Sequence, residues 1–444
     1  MGWAAKFLGM VVVIRLESAG ERAEARTGYA LCMPSALDIP EFRDARSSQP
    51  RLIRGLNFAG RLLPGPKPIE AEAIWAAARK GSLSDCEPTP EARAALESLT
   101  GSLAANTQMT QVGRFSAMDD TVRMARTHLR IHKTYRTTPE ILTTELPPPV
   151  FIVGWPRTGT TFLHQLLAKD PVSRTIPYWE SFDPVPPIAG ATDRRIEKLD
   201  KMLGQLRAIA PRYDAIHPME SELTEECVAL FMNEFRTLQF DFQYRVPEYA
   251  HWLLRQDAGI AYDLYRQQLQ LIQHARPHGA RFLLKDPTHL LHLETIVDRF
   301  PGAKFIFTHR DPAEAMSSIC SLVAYTRSLF TNDVDPRAIG AEILHGYWPS
   351  ALEQSRKMRS VLPADCAIDV RHADLRSDPL GVAEKVYAGL DLEWTDAARD
   401  GMMEHAAERS RGSGARHFHS LETFGLERDV VRERLAPYCD EVNV

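Results

Sequence analysis

Three prolines, Pro147-Pro148-Pro149, are followed by the apolar run Val150 to Val153 and then by Gly154-Trp155-Pro156-Arg157-Thr158-Gly159-Thr160-Thr161. Next come Phe162, Leu163, Leu166 and Leu167, spaced for one face of a helix over Thr160 to Lys169. Strand, glycine-bearing turn and helix in immediate succession constrain the fold more than any other feature of the chain. The GxxxxG spacing lets backbone N–H groups approach an anion, and the following helix presents its positive N-terminus. A Walker-type loop would carry lysine where Thr160 stands, to reach β- and γ-phosphates, and a hydroxyl for Mg²⁺. A phosphate ligand without a γ-phosphate therefore fits better, and no metal is called for.

The same pattern recurs downstream. Arg281-Phe282-Leu283-Leu284 reads as a strand ending at Lys285, and Lys304 to Thr308 as another. The latter leads through Arg310-Asp311-Pro312 into a helix from about Ala313 to Tyr325, and Ala367 to Val370 reads as a fourth strand. Strands alternating with helices predict an α/β fold, a P-loop-like parallel sheet flanked by helices. Upstream, Pro68 to Lys80 reads as a short helix, and Pro88 to about His132 as two or three amphipathic ones. The 444 residues are too many for one ordinary core. The expected division is an N-terminal extension over 1–33, a helical region over 34–147 and an α/β domain over 148–444.

A net charge of −5 argues against nucleic acid as a partner, while local positive charge still allows a small anion. The six cysteines show no CxxC spacing, which points to thiols in a reducing cytoplasm rather than a zinc site or disulfide framework. The N-terminal apolar run, Phe7 to Ile14, is too short to span a bilayer, so no stable membrane insertion is expected.

Arg310 follows the strand at 304–308, and Ser318 lies eight residues on, about two helical turns later. A guanidinium at a strand's mouth and a hydroxyl on the next helix can together hold a second phosphate. With the loop at 156–162, this element resembles the sulfotransferases that use 3′-phosphoadenosine 5′-phosphosulfate (PAPS). The resemblance covers about Pro148 to Asn443. It is nearest to a bacterial-type branch with a helical N-terminal region and a tail like His417-Phe418-His419-Ser420-Leu421-Glu422-Thr423-Phe424-Gly425-Leu426. It implies that Arg157, Thr158, Gly159, Thr160 and Thr161 bind the 5′-phosphosulfate, with Arg157 where the family often has lysine. It implies that Arg310 and Ser318 bind the 3′-phosphate, and that Arg411, Gly412 and Arg416 belong to a loop closing over it. The implied reaction is sulfuryl transfer from PAPS to a hydroxyl of a small-molecule, lipid or glycan acceptor. A non-catalytic nucleotide-binding protein of the same fold, or a P-loop kinase or NTPase, is the alternative.

Such transfer requires a cation at the leaving oxygen and a base for the acceptor's proton. Lys285, at a strand end, matches the family's leaving-group lysine. Two residues compete as base: His289, four residues beyond it, and Glu180, in Tyr178-Trp179-Glu180. A further cluster, His217 with Glu220, Glu222, Glu225 and Glu226, reads as a solvated helix face with some substrate-side residues. Residues 178–275 are expected to supply most of the acceptor pocket. Their aromatics, from Tyr178 to Trp252, suit either an apolar acceptor or an ordinary helical core.

Overall fold

The computed structural model describes residues 39–60, 69–188, 190–411 and 417–444. The extension 1–33 lies outside them, as do Gly412 and Arg416; of Arg411 only its place at the end of a helix is described.

Five strands form one sheet: β1 (Pro149–Gly154), β2 (Ser173–Arg174), β3 (Arg281–Lys285), β4 (Lys304–His309) and β5 (Ala367–Arg371). Their order is β2-β3-β1-β4-β5, and every pairing is parallel. The first strand in sequence is thus the central one. Phe151 stands beside Leu284 and Phe305, and Ile152 beside Lys285 and Ile306.

Side chains alternate across the sheet, so each strand feeds two cores. Phe151, Val153, Phe282, Leu284, Phe305 and Phe307 bury on one face. Val150, Ile152, Leu283, Ile306 and Val370 bury on the other, against Leu163, Leu166 and Val386. A sheet covered on both faces leaves only its strand ends open. The predicted fold class is the one observed, with a two-residue edge strand, β2, that the sequence did not announce.

Ahead of the sheet stand α1 (Ala71–Ala78), α2 (Pro90–Ala105) and α3 (Gln111–Thr137), so the stretch from 88 to 132 holds two helices. Hydroxyls start both: Thr89 accepts from the Ala92 N–H and Thr110 from the Gly113 N–H. A helix over Arg51–Gly60 precedes them. These helices share a core with later residues: Trp75 packs edge-on against Phe235 at 5.8 Å, beside Phe240 and Tyr249. Much of the aromatic set from 178 to 252 is spent on such packing. No helix among the described residues is long and apolar enough to cross a membrane.

One buried polar cluster ties α3 to this later segment. His128, His132 and Glu234 bring ligand-type atoms close enough to suit a metal ion. The proton count opposes one. The Thr89 N–H donates to His128 Nε2 at 3.2 Å, so the ring proton sits on Nδ1, which donates to Glu234 at 2.9 Å. Burial raises the Glu234 carboxyl, but His128 and His132 outweigh it and hold it at about 2. The folded value is depressed, so this carboxylate's stabilisation is present above the ordinary glutamate range. It is lost as pH falls from 4.5 toward 2. Glu234→Ala strands the buried His128 N–H and is expected to cost about 2 kcal/mol in urea unfolding at pH 7. Glu234→Gln, which keeps an acceptor, should cost less.

Candidate active site

The carboxyl ends of β1, β3, β4 and β5 open on one side of the sheet, and the order reverses about β1, where open α/β sheets place their ligands. Here lies a cavity of about 840 Å³. Its wall includes residues that leave each of these strands: Gly159 after β1, Asp286 after β3, Arg310 after β4 and His372 after β5.

The loop after β1 turns sharply because two residues adopt left-handed backbone, Arg157 at φ 70° and Gly159 at φ 95°. Gly154 starts it against β4: a Cβ there would lie 2.0 Å from Thr308 Oγ1. Thr158 Oγ1 donates to the Trp155 carbonyl at 2.7 Å and lies 2.7 Å from Thr308 Oγ1, which locks the loop to the sheet. Gly159 then caps α4 (Thr160–Leu167) without a side-chain acceptor, so no capping side chain competes with an anion for the helix N-terminus. Gly159, Thr160 and Thr161 line the cavity, while Thr158 is buried behind them.

The two predicted phosphate elements meet. Arg310 Nη1 donates to the Arg157 carbonyl at 2.9 Å, and Arg157 Nε donates to Ser318 Oγ at 3.0 Å. Ser318 is buried on α5 (Pro312–Ser328), which Asp311 caps by accepting from the Ala313 N–H. The chain after β5 adds α6 (His372–Ser377), from which His372, Arg376 and Ser377 join the same wall. These the sequence reading missed. A Cβ at Gly159 would lie 3.0 Å from His372 Cδ2, so that cradle admits only glycine without displacement.

Lys285 lies just behind the wall. Its Nζ donates to Glu226 Oε1 at 2.8 Å and lies 3.5 Å from Thr161 Oγ1, and both partners line the cavity. Burial opposes its charge, but Glu226 and Glu225 more than offset this and hold the ammonium above the usual lysine range. Glu226 is held below the usual carboxylate range: burial raises it, and Lys285 with His217 outweighs that. Asp286 differs. Burial and the neighbouring Glu226 push it up to about 7, and its Oδ1 caps the turn after β3 by accepting from the Thr288 N–H at 2.8 Å.

The two competing bases are elsewhere. His289 is fully buried: its Nδ1 lies 2.7 Å from the Tyr262 hydroxyl, and Phe151 packs on its ring. Burial drives its pKa to about 3. Glu180 accepts from Arg174 Nη2 at 2.8 Å in a buried ion pair, with Arg276 3.7 Å from its other oxygen. Neither lines the cavity. The cluster around His217 is not a helix face. Residues 217–227 run as turn and bridge, with Thr224 pairing to Pro177, and His217 and Glu226 reach the cavity.

The wall also carries apolar side chains, among them Val228, Leu238, Phe242, Leu322, Tyr347 and Trp348. Of the aromatics between 178 and 252, Tyr213 and Phe242 line the cavity.

The family model for the sulfotransferase family matches residues 148–396. The omega-hydroxy-beta-dihydromenaquinone-9 sulfotransferase Stf3 of Mycobacterium tuberculosis is 26% identical over 265 residues. That match covers 55% of this chain and 63% of the relative's own length. The crystal structure of sulfotransferase STF1 from Mycobacterium tuberculosis superposes with a TM-score of 0.73 at 28% identity, over 84% of this chain and all of that one. Sulfotransferase STF9 from Mycobacterium avium has the same fold, at TM-score 0.75 and 24% identity, over 85% of this chain and 98% of its own. The matched span runs from the strand before the phosphate loop to beyond the fifth strand, and the chain belongs to the sulfotransferase family.

Proposed function

We propose that the protein transfers a sulfuryl group from PAPS to the hydroxyl of an apolar small-molecule or lipid alcohol, without a metal. The observation that carries this reading is a charged, buried Lys285 beside the phosphate loop, at a cavity lined by both cationic and apolar side chains. Two guanidiniums, a helix N-terminus without a side-chain cap and a glycine-only cradle fit a nucleotide with two phosphate positions. A volume of about 840 Å³ leaves room for a second substrate.

Bound PAPS supplies a sulfuryl group whose leaving group is the 5′-phosphate. In this reading Arg157 and the α4 N-terminus hold the phosphosulfate, and Arg310 and Ser318 hold the 3′-phosphate. Arg411, Gly412 and Arg416 stay in the reading as the loop that closes over it. Lys285 stabilises charge on the bridging oxygen, and the excluded water strengthens that contact. The apolar wall favours an acceptor of the same broad kind as the hydroxylated menaquinone for which the Stf3 relative is named. Five cysteines without disulfides among the described residues accord with a cytoplasmic setting.

Incubation with ³⁵S-labelled PAPS and either farnesol or 2-naphthol, in EDTA, tests the reading. A labelled sulfate ester, separated from PAPS by reverse-phase chromatography, is expected. Transfer that appears only on adding a divalent metal would refute the metal-free reading.

A further inference from the structure

Several histidines lie around the phosphate loop and Lys285; His417 and His419, bonded to Ser321 and Ser317, do not line the cavity, and three others are poorly placed to receive a proton from an acceptor. His164 is buried, its Nε2 between the Leu283 carbonyl at 3.2 Å and Thr224 Oγ1 at 3.0 Å. His289 is sealed among aromatic rings. His372 lines the cavity at its phosphate end, where burial, Arg310 and Arg376 hold its pKa down to about 4.

His217 differs in its surroundings. It follows a helix over Pro211–Ile216, and its backbone N–H bonds the Tyr213 carbonyl at 2.9 Å. Its Nε2 lies 4.0 Å from Glu225 Oε1, and that carboxylate is anchored by the Glu226 N–H at 3.0 Å. His217 and Glu226 both line the cavity, and Glu226 in turn accepts from Lys285. His217 thus has one carboxylate at 4.0 Å and acts electrostatically on a second, Glu226, which bonds the leaving-group lysine.

We propose that His217 is the base for the acceptor hydroxyl, with Glu225 and Glu226 stabilising the imidazolium that results. This rests on the sulfotransferase reading above. The acceptor O–H bond breaks and its proton passes to the imidazole. The acceptor oxygen bonds to sulfur as the bond between sulfur and the bridging oxygen breaks. The electron pair leaves on the 5′-phosphate oxygen, beside Lys285. Carboxylates that hold an imidazolium do the work of the acid in a Ser-His-Asp triad, without themselves taking the proton. The other titratable groups around these residues include Tyr213, Tyr178, Arg157, Lys285 and Asp286. Burial raises both phenols, Tyr178 and Tyr213, so they stay neutral.

The test compares His217→Ala with wild type in two assays. One is calorimetric binding of adenosine 3′,5′-bisphosphate. The other is turnover of ³⁵S-PAPS with farnesol across pH 5 to 9. The expected result is nucleotide affinity within twofold of wild type, kcat down about 100-fold, loss of the acid limb of the pH profile, and partial rescue by free imidazole. Turnover within threefold of wild type, or a lowered kcat with the acid limb intact and no rescue, would overturn the assignment. Failure of the wild type itself to bind the nucleotide would overturn the underlying reading instead.

Discussion

Lys285→Ala is expected to lower kcat for sulfuryl transfer by about 10³-fold while leaving nucleotide affinity within a few-fold. The ammonium is buried and 2.8 Å from Glu226, and in the proposed reaction its place beside Thr161 sets it where charge develops as the phosphate leaves. A cation that acts mainly in the transition state lowers kcat when removed, and binding of the ground state changes little. Glu226 complicates a simple deletion, because removing Lys285 leaves that half-buried carboxylate without its partner. Lys285→Ala with Glu226→Gln separates the two effects. If loss of charge at the leaving oxygen is the cause, the double variant stays as slow as the single one. Measuring kcat and KM separately for both variants reads this out. Recovery of turnover in the double variant would assign the loss to the stranded carboxylate.

Arg310→Ala carries the second large effect, on binding. Its guanidinium lies at the mouth of β4, bonded to the Arg157 carbonyl at 2.9 Å, and its Nε pairs with Glu314 at 3.2 Å. It therefore positions the phosphate loop as well as offering charge. The dissociation constant for adenosine 3′,5′-bisphosphate should rise about 300-fold, ~3.5 kcal/mol, which is the scale for removing one partner of a hydrogen-bonded charge contact. Adenosine 5′-monophosphate, which lacks the 3′-phosphate, should bind wild type and variant within a few-fold of each other. A variant equally impaired for both nucleotides would assign Arg310 to the loop's shape instead.

The sheet was legible because its evidence is local. Val150 to Val153, Phe282 to Leu284 and Phe305 to Phe307 are apolar runs of strand length, each ended by a turn, and they became β1, β3 and β4. Residues at strand ends were legible for the same reason. Lys285 and Arg310 follow such runs directly, and a parallel sheet aligns its carboxyl ends without further information.

The surroundings of the candidate bases were not legible, because they depend on how irregular segments fold back. His289 stands four residues after Lys285, but the Asp286 cap starts a tight turn over Pro287–Leu291 that carries the imidazole into the core under Phe151. Glu180 is neutralised by Arg174, which lies on a two-residue strand too short to show a period. His217 and Glu226 carry a charge pattern that resembles a solvated helix face, and only the bridge from Thr224 to Pro177 brings them to the cavity. His372 and Arg376 enter because α6 begins directly after β5, a junction with no signal of its own in the sequence. Likewise, nothing in residues 69–129 alone shows that Trp75 and Leu96 pack against Phe235 and Tyr249.

The most direct test of the central claim is calorimetry of the intact chain with adenosine 3′,5′-bisphosphate in EDTA, run beside ATP with Mg²⁺. Micromolar binding of the bisphosphate without metal, much tighter than that of ATP, is the result this account predicts. No binding by protein shown to be folded, or Mg²⁺-dependent ATP binding in its place, would contradict it.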